Sequence, residues 1–295
     1  MNLMNFFRRF PNEESCRLDF KNKRDQAGII CKKCACKEHY WKEDKQVYQC
    51  KNCSFRTSLR SGTVMESSKL PFQYWYISMH LLTATKKGIS ALELQRQLGH
   101  KRYEPIWYML HKLRLIMGKS DDKYQLNDSV ELDEAFLSNG SEGNVKKVPI
   151  LVAAESIPVS GFKKKQKIKY QSRYIKMTVL ESRTKEGLLY EAKKMINKES
   201  EVITDGAPSF KTLSSIFRKH QAFIVKDKSK ISKIQPWAHI VISNVKRWLL
   251  GIHHSAHPKY LQNYLNEFCY KYNRRYFGEN LFDNLLFHAS SKSWF

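Results

Sequence analysis

Val130-Glu131-Leu132-Asp133-Glu134 is the stretch that decides the fold. Val130 and Leu132 alternate with Glu131 and Asp133, the period of a strand with one face in a core and the other presenting acids. The stretch lies in Ser129 to Leu137, which reads as a strand bounded by turn residues. A second segment, Val202-Ile203-Thr204-Asp205-Gly206, is a short β-forming run that ends on Asp205, with Gly206 free to turn sharply. A lone charge at the end of a buried strand is costly. Two such aspartates make sense together if they share divalent cations. Mg2+ ions held about 4 Å apart would activate an attacking oxygen and stabilise the leaving oxygen of a phosphodiester. Either aspartate alone reads as an ordinary turn residue, so the rest of the chain has to decide.

Val148 to Glu155 and Lys167 to Glu181 read as further strands and Glu186 to Asn197 as a helix. Glu201 to Thr204 is a strand, Pro208 to Lys219 a helix and Ala222 to Val225 a short strand. Helices over about Ala238 to Gly251 and Pro258 to Tyr276 close the region. Three strands followed by alternating strand and helix predict an α/β domain on a mixed sheet over 127–278, leaving 279–295 as a C-terminal tail. Residues 69–118 have apolar positions at helical spacing. Leu70-Pro71 opens a helix to about Thr85, and Gly88 stops it. Ser90 caps Ala91 to Leu98 with Glu93 at capping-box spacing, Gly99 ends that helix, and 102–117 form a third. The segment from Gly88 to Gly99 resembles the first helix and turn of a helix-turn-helix. A recognition helix needs donors near its start, where Lys101 and Arg102 stand, with Lys112 and Arg114 further along. Leu92, Leu98, Ile106, Leu110 and Leu113 account for packing. A three-helix packing unit with a solvated basic face is the bland alternative.

After an arm over 1–25, residues 26–60 hold Cys31-Lys-Lys-Cys34 and Cys50-Lys-Asn-Cys53. Each CxxC puts two thiolates on one tight turn, and two such turns complete a tetrahedral sulfur site suited to zinc. A ribbon this small has almost no core, so the metal would supply much of its folding energy. Cys36 and His39 do not fit the paired spacing and read as non-ligands; Cys16 and Cys269 read as buried thiols. Redox chemistry is the rival use of a CxxC, but no βαβ context surrounds these pairs.

The 52 basic against 28 acidic residues give a net charge of +24, which suits a polyanionic partner because each neutralised phosphate releases counterions. Hydrophobic residues at 42% and aromatics at 13% exclude wholesale disorder. No apolar run of about 18 residues occurs, so no transmembrane helix is expected. Met1 to Pro11 lacks the pattern of a signal peptide, and a cytoplasmic location follows as the expectation.

As a set, several stretches resemble one family: the zinc-ribbon DDE-type transposases of bacterial insertion sequences, the group with an ISXO-like transposase domain. The stretches are the CxxC pairs, Ser61-Gly-Thr-Val64, Lys86-Lys-Gly-Ile-Ser-Ala-Leu92, Val130 to Glu134, Val202 to Gly206, His239 to Lys246, and Tyr264-Leu-Asn-Glu-Phe-Cys-Tyr-Lys-Tyr-Asn-Arg-Arg275. The resemblance implies an RNase H-like catalytic domain whose metal site has three residues. Asp133 matches the first and Asp205 the second. The third, usually Glu, is matched five residues after His239 by Asn244, and with Lys246 the chain fits an Asp-Asp-Asn-Lys branch. Asn offers Mg2+ a neutral carbonyl oxygen in place of a charge. Lys246 would contact the scissile phosphate or flanking DNA, yet residues two apart on an ideal helix point about 200° from each other. Arg247 and Trp248 are better neighbours of Asn244, and Arg247 joins the expected DNA contacts.

Glu131, Glu134 and Glu267 are spare carboxylates, and His239 is a candidate to orient a phosphate or a water. His253, His254 and His257 read as capping or DNA-facing. The basic segment Lys163 to Lys176, with Tyr170 and Tyr174, reads equally as a backbone-tracking strand and a solvated hairpin. The implied cofactors are structural Zn2+ and catalytic Mg2+ or Mn2+. The implied partner is double-stranded DNA, as terminal inverted repeats and target, with a homo-oligomer in the synaptic complex and no membrane. A non-catalytic DNA-binding regulator, a domesticated transposase and an RNA-processing nuclease remain the alternatives.

Overall fold

The computed structural model describes residues 1–139, 146–158, 170–223, 234–253 and 256–291. The chain divides into two compact units, Met1–Ser120 with Tyr276–Phe295, and Asp121–Arg275.

In the first unit, α1 (Leu3–Arg9) and α2 (Glu13–Ala27) precede a three-stranded antiparallel sheet of β1 (His39–Lys42), β2 (Val47–Cys50) and β3 (Arg56–Ser58). Three helices follow: α3 (Phe72–Ala84), α4 (Ala91–Leu98) and α5 (Tyr103–Asp121). Ser90 Oγ accepts from Glu93 N at 3.1 Å, as a cap should. The reciprocal half of the expected capping box does not form, because the Glu93 carboxylate turns to Arg96 and Gln97. Gly99, at φ 61°, ends α4 in the left-handed conformation.

Residues expected as a tail instead form a helix, Asn280–Ser291, packed into this unit. Leu281, Phe282, Leu285, Leu286 and Ala289 make one buried stripe of it, with Phe282 against Phe6 and Phe10. That stripe is a helical period short enough to be taken for loop composition.

The second unit is built on a five-stranded mixed sheet. Its strands are β4 (Ser129–Asn139), β5 (Lys146–Pro158), β6 (Tyr170–Val179), β7 (Glu201–Thr204) and β8 (Lys219–Ala222), in the order β6-β5-β4-β7-β8. β4, β5 and β6 pair antiparallel; β7 lies parallel to β4 and β8 parallel to β7. α6 (Lys185–Met195) and a 3-10 helix (Pro208–Ser215) join the later strands. α7 (Pro236–His253) and α8 (Pro258–Asn273) close the unit.

The helix expected to run to Lys219 stops at Ser215, and the strand expected from Ala222 is β8, which begins at Lys219. Lys-His-Gln-Ala carries little β propensity, so pairing along β7 decides its conformation. Residues 224 and 225 of that expected strand, and the start of the one expected from Lys167, lie outside the described residues.

Alternation on β4 sorts the two sheet faces. Val130 and Leu132 join Leu151, Ala153 and Val202 under α6 and the 3-10 helix. Ala135 and Leu137 join Ile150, Val152 and Ile175 under α7 and α8. Glu131 and Asp133 share the α7 face, so the two acids sit on the strand position that aliphatic residues fill further along.

The outer edge of β6 is closed by amides of α8. Asn273 Oδ1 accepts from Ile175 N at 2.7 Å while its Nδ2 donates to Ile175 O at 2.9 Å. Gln262 repeats the device, accepting from Val179 N at 2.8 Å and donating to Met177 O at 3.1 Å. An open strand edge is a template for unwanted pairing, and these side chains complete its ladder. Arg274 pairs with Asp121 at 2.6 Å, and the Arg275 guanidinium donates to the carbonyls of Ser172 and Arg173. The end of the Tyr264 to Arg275 stretch therefore serves the fold.

Candidate active site and metal centre

The parallel register runs Ser129 opposite Glu201, Val130 opposite Val202, and Glu131 opposite Ile203. Continued two residues, it sets Asp133 beside Asp205, on strands whose neighbours lie about 4.8 Å apart. Gly206, at φ 76°, turns the chain away, and Asp205 Oδ1 accepts from Ala207 N at 3.0 Å. Thr204, one residue earlier, is hydrogen-bonded to His220 at 2.9 Å.

The Asp133 side chain keeps 13% exposure. Burial pushes its carboxyl up to about 6; the charge of Asp205 adds to the rise and His239 opposes it. His239 Nε2 stands 3.9 Å from Asp133 Oδ2, too far for a hydrogen bond, and this nitrogen is buried with no hydrogen-bond partner among the described residues. Two mutually repelling carboxylates, one inside β4 and one just past the end of β7, are a donor set that a divalent cation fits.

Glu131 is the neighbour that the sequence reading left as a spare acid. Its Oε2 accepts from Ala238 N at 2.8 Å, in the first turn of α7, where helix N–H groups otherwise lack partners. This bond ties the start of α7 to β4 two residues before Asp133, which brings His239 to the site. Burial lifts the Glu131 carboxyl to about 7. Gln235, just before α7, was also passed over; it is buried and bonded to both β4 and β7.

The structure brings Asp133, Asp205 and His239 together. Among the described residues, no hydrogen bond or ion pair joins Asn244 or Lys246 to an aspartate. Asn244 Oδ1 accepts instead from Arg247 Nη2 at 2.7 Å. α7 is a continuous helix from Pro236 to His253, so Asn244 lies about 140° round from His239 and Lys246 about 20°. Lys246 and Arg247 are exposed. Glu134 faces the opposite side of the sheet from Asp133 and binds Arg183 at 3.1 Å, while Glu267 is buried on α8 with Lys271 at 3.9 Å.

Cys31, Cys34, Cys50 and Cys53 converge, their sulfurs all within 4.8 Å of one another. Cys31 to Cys53 and Cys34 to Cys50 are each 3.5 Å. Tetrahedral zinc with Zn–S bonds near 2.3 Å separates its sulfurs by about 3.8 Å, so the cluster fits that ion.

The two turns share one backbone plan. Cys31 N donates to Cys36 O and Ala35 N to Cys31 O; Cys50 N donates to Phe55 O and Ser54 N to Cys50 O. Ala35 and Ser54 take matching positive φ of 57° and 58°. The backbone N–H of Cys53, with that of Asn52, holds the Cys50 thiol down at about 6 against burial. Cys36 and His39 stand outside the cluster, and Cys16 and Cys269 are buried.

On α5 the basic residues separate into two kinds. Lys101 and Arg102 are exposed just before its first turn. Lys112 donates from Nζ to Glu66 O at 2.7 Å, and Arg114 is 1% exposed. Arg114 continues the buried row of Ile106 and Leu110, so it serves the fold of this unit, while Lys112 is partly exposed.

His257 accepts from Lys259 N at 3.3 Å and caps α8, and the His253 ring packs 4.4 Å from Tyr264. His254 and residues 163–169 lie outside the described residues. From the remainder of that basic segment, Lys176 is buried and donates to Asp121 O at 2.8 Å.

Residues 125–273, half of the chain, match the family described as the ISXO2-like transposase domain, and the match takes in both aspartates, α7 and α8. The chain belongs to that family of transposase domains. No curated protein matches it. No helix among the described residues is long and apolar enough to cross a membrane.

Proposed function

We propose that the protein is a DNA transposase of a bacterial insertion sequence, acting in the cytoplasm. In this reading it binds element ends, cleaves them by divalent-metal-dependent phosphodiester hydrolysis and joins the freed 3′ end to target DNA. The observation that carries the reading is Asp133, within β4, set beside Asp205, just past the end of the parallel β7, inside the matched domain. The five-stranded order is compatible with the RNase H-like plan that the resemblance implies.

Asp133 and Asp205 would hold Mg2+ or Mn2+, and Asn244 would be the neutral third ligand. Such a cation supplies the charge that stabilises the attacking and leaving oxygens of the displacement. His239 stands beside Asp133 and would orient a phosphate or a water. Lys246 and Arg247, exposed on α7, and Lys101 and Arg102, before α5, would take phosphate contacts. The four-cysteine cluster would hold Zn2+ and fold the ribbon that, with the helices after it, binds the terminal inverted repeats as part of a homo-oligomer.

A non-catalytic DNA-binding protein is the second reading. It is favoured by Asn244, whose oxygen is engaged by Arg247 on a different flank of α7 from His239. Strand cleavage of duplex DNA carrying the terminal repeats, with Mg2+ or Mn2+, separates the two. Wild-type protein is expected to nick the ends, and Asp133→Asn and Asp205→Asn to lose at least about 1000-fold in rate, a loss of roughly 4 kcal/mol of transition-state stabilisation. Cleavage retained by either variant would sink the metal assignment.

A further inference from the structure

Gln235 has no role in the resemblance or in the reading above, yet it occupies a singular place. It directly precedes α7 and is fully buried. Its Nε2 donates to two backbone oxygens at once: Leu132 O on β4 at 2.8 Å and Ile203 O on β7 at 3.0 Å. Only the amide NH2 end can serve two carbonyls, so the orientation of the side chain is fixed.

The position of this bridge along the strands matters. The β4–β7 register ends with Glu131 opposite Ile203. Leu132 is the next residue on β4 and immediately precedes Asp133; Ile203 lies two residues before Asp205. The amide of Gln235 thus takes over where the backbone ladder stops, on the last stretch before the two aspartates. A trigonal NH2 donating at these lengths holds the two oxygens about 5 Å apart. Glu131 Oε2, bonded to Ala238 N, ties the same turn of chain to β4 and keeps Gln235 in place. Among the described residues Gln235 Oε1 is buried with no hydrogen-bond partner, a desolvation cost that Leu or Met of similar size would avoid.

We propose that Gln235 is a positioning residue: its side-chain bridge between β4 and β7 sets the separation of Asp133 and Asp205, and through it the affinity of the pair for a divalent cation. The proposal rests on the reading of those two aspartates as a metal pair. It acts through backbone geometry, since the side chain donates to main-chain oxygens and not to the carboxylates.

The test is Mn2+ binding to the full chain, followed by electron paramagnetic resonance, with thermal unfolding in parallel. Gln235→Met keeps size and removes both donors. Gln262→Met is the control, because Gln262 makes a matched pair of amide-to-strand bonds at the outer edge of β6. Gln235→Met is expected to weaken Mn2+ binding by about ten-fold or more, as supporting contacts to metal ligands commonly do. Gln262→Met should lower the melting temperature but leave Mn2+ affinity within about two-fold, as distant sites act independently.

If wild-type protein binds no Mn2+, or Asp133→Asn binds it equally well, the metal pair itself fails. If binding depends on the aspartates but Gln235→Met loses no more affinity than Gln262→Met, the positioning role is overturned. Should Gln235→Met not fold, Gln235→Asn, one methylene shorter and unable to span both carbonyls, replaces it with the same expected loss. Failure of both to fold would make Gln235 a fold determinant and nothing more, which also overturns the proposal.

Discussion

Asp133 and Glu131 stand two residues apart on one strand and one face, and burial lifts their carboxyls to about 6 and about 7. A carboxyl that holds its proton more tightly when folded favours the folded state at low pH, and that contribution is lost as pH rises from the unfolded value through the folded one. For Asp133 the window runs from 3.8 to about 6. In protein with no added Mg2+ or Mn2+, Asp133→Asn is therefore expected to be more stable than wild type at pH 8, by on the order of 2 kcal/mol. The difference should vanish near pH 4, in urea unfolding followed by circular dichroism. A variant no more stable than wild type at pH 8 contradicts the burial and repulsion assigned to this carboxyl.

Strand alternation marked Asp133 in the sequence, and a short β-forming run closed by Gly206 marked Asp205. Arg114 was misread, although the row Ile106, Leu110, Arg114 at four-residue spacing held the signal. Residue type, which favours arginine at the surface, outweighed position there.

Among the elements, two helices begin on carboxylates borrowed from elsewhere in the chain. Glu13 of α2 accepts from Phe72 N at 2.9 Å and Gln73 N at 2.7 Å, where α3 has no side-chain cap of its own. Glu131 does the same for α7. Local capping rules cannot find such partners, because the acceptor lies far away in sequence. The cysteine turns are the opposite case, since spacing alone foretold their convergence. Purified protein is expected to carry one zinc per chain, and Cys34→Ser or Cys53→Ser to lose it along with the ordered ribbon, whereas Cys36→Ser retains it. Elemental analysis with near-ultraviolet circular dichroism checks this; zinc lost equally from Cys36→Ser would require a different ligand set.

For the whole molecule, a net charge of +24 makes salt the sharpest probe of the partner. Duplex DNA binding should weaken linearly in log–log terms between roughly 50 and 200 mM salt, with a slope of about −0.9 per phosphate neutralised. Replacing Lys101 and Arg102 together by Ala is expected to reduce that slope by about 2 and to weaken binding to specific and nonspecific duplexes alike. Fluorescence anisotropy reads both quantities, and an unchanged slope removes the start of α5 from the interface.

The cysteine turns, the two aspartate-bearing strand segments, the mixed sheet and the basic character of the chain were all readable from the sequence, because each follows from local spacing, alternation or composition. Only the tertiary structure decided which polar groups meet. It paired Asp133 with Asp205 and His239, engaged Asn244 with Arg247, placed Gln235 across β4 and β7, and returned 280–291 to the N-terminal unit. Those meetings depend on strand register and on the direction in which each helix presents its side chains, and both are set by packing between segments far apart in the chain.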